Sequence, residues 1–196
     1  GTMTAMKRRA QLQRAAAPLA AVVLTAFACE GPREQTETFL GTAPACLELS
    51  FWPSQETDLE DALQQALNLR RAAPNACGEG ASSPRIALRH DPLLRCAARM
   101  SARDMGARGG LFTIDSLGRD CAGRVAAAGA AEVLVLGEAQ ARDINGVNEV
   151  LDAWLSDPNT CALLQDPTAR EVGVAVWSES PVDPLVWSVV IATPAD

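Results

Sequence analysis

Tyrosine is absent from this chain, histidine occurs once, at His90, and lysine once, at Lys7. A single imidazole leaves little from which to build a zinc site, and none of the six cysteines stands in C-x-x-C spacing. Beyond residue 28 there is no internal repeat and no apolar run long enough to cross a bilayer. Positive charge is also short: 17 basic residues face 24 acidic ones, for a net charge of −7. The excess of Ala and Arg resembles the coding habit of a high-GC genome and by itself implies no chemistry. What the chain does have is 196 residues, 48% of them apolar, enough for one core with a tail or two very small domains.

Lys7, Arg8, Arg9 and Arg14 open the chain with positive charge, and Ala15 to Phe27 then runs apolar, broken by Pro18 and Thr25. With Ala26-Phe27-Ala28 as an A-x-A site, residues 1–28 have the parts of a secretory signal peptide. Arg8-Arg9 could open a twin-arginine signal, but the residues around the pair match it weakly. Leu24 to Cys29 is at the same time an imperfect lipobox, in which Phe27 fits poorly. Lipid attachment at Cys29 and free secretion therefore both stand as expectations. Residues 29–56, polar and core-poor from Glu30 to Pro44, are expected to be a tether or extension. Removing residues 1–28 takes away four basic and no acidic residues and moves the net charge from −7 to −11. Such a surface repels nucleic acid and anionic headgroups, so no nucleic-acid partner is expected and membrane contact only through Cys29. An exported chain with six cysteines should carry disulfides; with Cys29 lipidated five thiols remain, otherwise three bridges are possible.

Thr57-Asp58-Leu59-Glu60 has the form of a capping box, and Leu59, Leu63, Ala66 and Leu67 continue at helical spacing to near Arg71–Ala73, before Pro74. Asp91-Pro92 begins a second helix that ends near Gly109. Gly118 to Ala128 reads as a third, closed by Gly129, and Val147 to Leu155 as a fourth with an apolar stripe. Val133–Leu136, Val172–Trp177 and Leu185–Ala192 read as strands, and Trp154, Trp177 and Trp187 as core residues. Helices followed by late antiparallel strands make this an α+β chain with one core over residues 57–196.

Several of these segments, in this order, resemble the bacterial branch of the CAP (SCP-like) superfamily. The matching stretches are Asn68-Leu69-Arg70-Arg71, Cys77-Gly78, Leu88-Arg89-His90-Asp91-Pro92-Leu93-Leu94, and Ala97 to Met105. They continue with Gly137-Glu138, Trp154 to Cys161, Asp166-Pro167, Glu171 to Ala175, and Trp187. The resemblance covers about 140 residues and rests on order and spacing rather than on any one motif. It implies a three-layer α/β/α sandwich with about four helices and a small antiparallel sheet. It also implies a Cys77–Cys161 disulfide; Cys96 with Cys121 is a second expected pair, and Cys46 is left without an obvious partner.

The family's cleft presents two histidines and two acidic residues, sometimes with a divalent metal. Here Ser101, Ile114 and Thr160 fall where bacterial relatives carry histidine, and Ala139 falls where they carry asparagine. Glu138 remains, with Asp157 near the second acidic position. Neither Ile114 nor Thr160 can replace imidazole as a nitrogen ligand or proton shuttle. No metal or other cofactor is therefore expected. A Ser-His-Asp arrangement would need His90 beside Ser101, yet its place just before a helix cap fits a surface or capping role. The expected function is a non-catalytic binding or interaction module. Its cleft candidates are Glu138, Asp157, Ser101 and Thr160, and its partner is a small molecule, a lipid or a protein. The alternative is an extracytoplasmic hydrolase, peptidase-like or cell-wall-directed, using Glu138 and Asp157 as a carboxylate pair with split pKa values.

Overall fold

The computed structural model describes residues 33–74, 77 and 83–195; the expected signal peptide over residues 1–28 and Cys29 lie outside the described residues. A short hairpin comes first, β1 (Gln35–Glu37) antiparallel to β2 (Phe51–Pro53), with helix α1 (Pro44–Leu47) and a 3-10 turn between them. Then follow α2 (Ser54–Ala72), β3 (Arg89–His90), α3 (Pro92–Arg108), α4 (Cys121–Ala128) and β4 (Val133–Arg142). The chain closes with α5 (Val147–Ser156), α6 (Pro158–Leu164), β5 (Glu171–Trp177) and β6 (Val186–Pro194). The main sheet has the order β3-β5-β6-β4. It is antiparallel as expected, except that the two-residue β3 runs parallel to β5.

Side chains alternate across this sheet, and the alternation builds the three layers. Ala175, Val190 and Ala192 face the cluster containing α3, α4 and the N-terminal extension. Val172, Val174, Val176, Trp187, Val189 and Ile191 face the cluster containing α2, α5 and α6. A bulge in β4 between Val135 and Gly137 resets its alternation. After it, Ala139 and Ala141 pack with α5, while Glu138 and Gln140 turn toward α3 and α4.

The helix ends follow from short local signals. Asp91 Oδ1 accepts from Leu93 and Leu94 N–H at 2.8 Å, Pro92 opens α3, and Gly109 closes it in the left-handed region at φ 70°. The third helix starts three residues later than the sequence suggests, because the Asp120 carboxylate caps it at Gly123 N–H. The first long helix starts earlier, at Ser54, and no side chain caps it. Thr57 sits inside its first turn, donating to Pro53 O, and Glu60 is fully buried instead of reaching back to a cap.

Two expectations are corrected here. The stretch 29–56 is not a tether from residue 33 onward, since Leu40, Cys46, Leu49 and Trp52 are all buried in the main core. A few well-spaced apolar anchors suffice to seat a segment whose average composition is polar. Cys96 pairs with Cys46 and not with Cys121, because its side chain points from α3 into the extension; the Cα atoms are 5.5 Å apart. Cys121 is a free thiol at the start of α4. The Cys77–Cys161 bridge forms as the resemblance implied.

Gly173 marks the closest approach of helix to sheet: a Cβ there would lie 2.0 Å from the backbone carbon of Leu94. Gly173→Ala is therefore expected to destabilise the domain by about 1–3 kcal/mol, since the helix backbone must move to admit a methyl group. Cys46→Ser opens a 50-residue loop and should cost about 4 kcal/mol in the chain-entropy picture. Urea unfolding of both variants measures these losses.

Candidate functional site

Glu138 stands on β4 just past the bulge and looks toward α4. Its carboxylate is 6% exposed and lies against Arg124, whose side chain is wholly buried, at 2.5 Å. Oε2 accepts from Arg124 Nη2 and from Gln140 Nε2 at 2.9 Å, while Oε1 accepts from Ser188 Oγ at 2.6 Å. Arg124 in turn donates through Nη1 to the carbonyls of Arg119 and Thr113. Gln140 Nε2 also donates to Phe112 O at 3.0 Å and reaches Ser101 Oγ at 3.4 Å. Both oxygens of Glu138 are thus occupied by neighbours from β4, β6 and α4. These three hydrogen bonds fix the carboxylate's orientation and tie β4 to α4 and β6.

The cavity in front of it measures about 510 Å³. Leu111, Thr113, Asp120, Cys121, Val135 and Gln140 share its wall with Glu138. No imidazole is present among them. Cys121 supplies a thiol, but burial and the nearby Glu138 push its pKa up to about 12, so it is protonated and a poor nucleophile near neutrality.

The other candidates lie elsewhere. Ser101 is buried on α3 and reaches only Gln140. Ile114 is 47% exposed on the loop after α3. Asp157 caps α6, its Oδ1 accepting from both the backbone N–H and the hydroxyl of Thr160 at 2.8 Å. Those bonds lower its pKa and leave it in solvent. Leu163 and Leu164 of α6 pack into the second cluster, on the sheet face opposite Glu138. Glu138 and Asp157 are therefore not brought together as a carboxylate pair. His90 lies exposed on β3, and Ala139 is buried against α5. Among the described residues, no group of three or more His, Cys, Asp and Glu side chains is placed to hold a metal ion.

Arg124, Gln140 and Ser188 are the partners that the sequence did not suggest. Ser188 left one signal: it is the single hydroxyl within the apolar run Val186 to Ala192, where a buried polar group needs a partner. Arg124 is an arginine amid alanines in a short helix, and nothing local identifies Glu138 as its counterion.

The geometry finds company among known proteins. The profile of the cysteine-rich secretory protein (CAP) family matches residues 64–191. Among solved structures, the fold is similar to an outer surface protein of Borrelia burgdorferi at 17% identity and a TM-score of 0.58. That match covers 70% of this chain and 93% of the other. An extracellular SCP-domain protein of Bacillus anthracis aligns at 16% identity and a TM-score of 0.56, covering 69% of this chain and 41% of that one. A cysteine-rich secretory protein of Staphylococcus aureus aligns at 17% identity and a TM-score of 0.50, covering 72% and 40%. The chain thus spans about two fifths of these last two. No curated protein matches the sequence.

Two outcomes follow from the site's geometry. Glu138→Gln strands the buried Arg124 charge and is expected to cost about 3 kcal/mol or more in urea unfolding. Alkylation of Cys121 by iodoacetamide should be far slower at pH 8 than that of a solvent thiol. It should quicken about tenfold per pH unit, since only ~1 in 10,000 thiols is ionised there.

Proposed function

Since the chain belongs to the cysteine-rich secretory protein (CAP) family, we propose that it is an exported, non-catalytic binding module that keeps the family scaffold while its cleft has lost the family's acid–base chemistry. The observation that carries this is the state of Glu138. Its oxygens accept from Arg124, Gln140 and Ser188, and no histidine stands at any position where the resemblance called for one. With Glu138 engaged by three donors and no imidazole beside it, the cleft lacks the family's histidine acid–base group and the usual nitrogen ligands of a transition metal. The cavity beside Glu138 combines apolar and polar wall, which suits holding a ligand without transforming it. A small molecule, a lipid or a protein segment are the ligand classes it could take.

Export is supported by the basic, apolar and A-x-A succession over residues 1–28 and by two disulfides, which persist in oxidising compartments. The similar structures are described as outer-surface, extracellular and secretory proteins, in keeping with that placement. No helix among the described residues is long and apolar enough to cross a membrane. A lipid on Cys29 would hold the domain at the cell envelope.

Calorimetric titration of the folded domain with Zn²⁺ and Ca²⁺ should give no micromolar binding; a tight stoichiometric site would overturn the metal-free assignment. Peptide and cell-wall hydrolysis should be undetectable. A measurable rate that vanishes in Glu138→Gln, compared where both proteins remain folded, would instead establish an enzyme. Intact mass of membrane-extracted protein is expected to show Cys29 carrying lipid, and a soluble, unmodified mature form would refute anchoring.

A further inference from the structure

The four tryptophans are not treated alike. Trp52 donates its indole N–H to Val176 O at 2.9 Å, Trp154 to Gln140 O at 3.0 Å, and Trp187 to Ile144 O at 2.7 Å. Trp177, at the end of β5, has no acceptor for its Nε1 among the described residues, although that atom is sheltered from solvent. Arg142, at the end of β4, pairs through Nε with Asp143 at 3.3 Å but has a sheltered Nη1 without an acceptor among the described residues. Both residues line one cavity of about 260 Å³, together with Gly106, Glu179, Asp183 and Val186. This cavity is separate from the Glu138 cleft: Gln140 lines the cleft, and Arg142 lies two residues further along β4, ~7 Å away. An unpaired donor in such a place costs free energy, and two beside one small cavity call for an acceptor there.

The surroundings hold these donors in place. Trp177 packs against Trp52, ring centroids 4.8 Å apart. Its indole edge also rests on Gly106 within α3, where a Cβ would come within 2.4 Å of the ring. A glycine inside a helix is unfavourable by about 1 kcal/mol relative to alanine, and here it makes room for the indole. Arg33 donates to the carbonyls of Ser178 and Glu179, which tethers the loop that carries the cavity's acidic wall.

We infer that this cavity binds a small zwitterion of α-amino-acid type, with its carboxylate on Arg142 and Trp177 and its ammonium toward Glu179 and Asp183. A simple anion would meet the negative field of the exposed Glu179 and Asp183 at the rim, and a simple cation would leave both orphan donors unpaired. A molecule carrying both charges answers the whole lining, and a cavity of this volume admits a small amino acid. The source of the zwitterion, a free amino acid or the end of a short peptide, is left to the probes.

The indole resonance of Trp177, identified by its loss in Trp177→Phe, is the readout in ¹H–¹⁵N spectra of the folded domain. Alanine is expected to shift it saturably, while acetate and ethylammonium should bind about tenfold more weakly or worse, each lacking one charge-assisted contact. Trialanine distinguishes a peptide terminus from the free amino acid by which of the two binds more tightly. Arg142→Gln and Gly106→Ala should each abolish the alanine shift, the second by displacing the indole without weakening the helix. Asp183→Asn should reduce alanine affinity toward that of acetate. If no probe moves the Trp177 signal, the cavity holds only water and the inference fails. Acetate binding as tightly as alanine, or an alanine shift that survives Arg142→Gln, would overturn it equally.

Discussion

Glu60 and Arg99 form an ion pair in which both side chains are completely buried, and it joins the two long helices to the N-terminal extension. Arg99 Nε and Nη2 donate to the two carboxylate oxygens at 3.0 and 2.6 Å, joining α2 to α3. The same guanidinium donates to Leu49 O and lies over the Trp52 ring, which fastens the N-terminal extension. Arg95 Nε lies 3.8 Å from Oε2, the oxygen that also accepts from Arg99 Nη2. Complete burial pushes the Glu60 carboxyl up, to about 7, against the pull of Arg99 and Arg95. A charge taken that far from water is tolerable only with its partners in place, so removing either member should cost far more than an exposed pair would.

This joint explains how the sheet ends. β5 has β3 beside it only at its first two paired residues, so the rest of its outer edge lacks a strand partner. Side chains cover it instead: Val176 N–H lies 3.4 Å from Glu60 Oε1, and Val176 O accepts from Trp52. The extension thereby becomes part of the core, and the Cys46–Cys96 bridge pins it to α3. An edge closed by buried side chains cannot pair with another chain.

The cleft follows the same economy of charge. Arg124 and Glu138 neutralise one another out of water, with Ser188 and Gln140 completing the carboxylate's bonds. Through those bonds Glu138, in the wall of the cavity, holds α4 against β4 and β6. The chain's one imidazole, His90, lies on β3 and does not line this cavity. The orphan donors of Arg142 and Trp177 stand apart, since among the described residues they are unpartnered polar atoms whose side chains line one small cavity.

Local signals in the sequence determined much of the framework. Asp91-Pro92 and Gly109 set both ends of α3, Gly129 ended α4, and the apolar runs at Val172 and Leu185 became the central strands. Ordered motifs sufficed for the sandwich and for the Cys77–Cys161 bridge, because each is fixed by residues near in sequence or by a spacing shared with the family. Only the tertiary structure decided the rest. Glu60 looked like the end of a capping box and became a buried counterion, because Arg99, 39 residues away, is its strongest partner. Cys96 found Cys46 in a segment too polar on average to look folded, and Glu138 and Asp157 fell on opposite faces of the sheet. Helix caps and strand patterns depend on neighbours in the chain, whereas the partner of a buried charge or thiol depends on which distant segment the packing brings beside it.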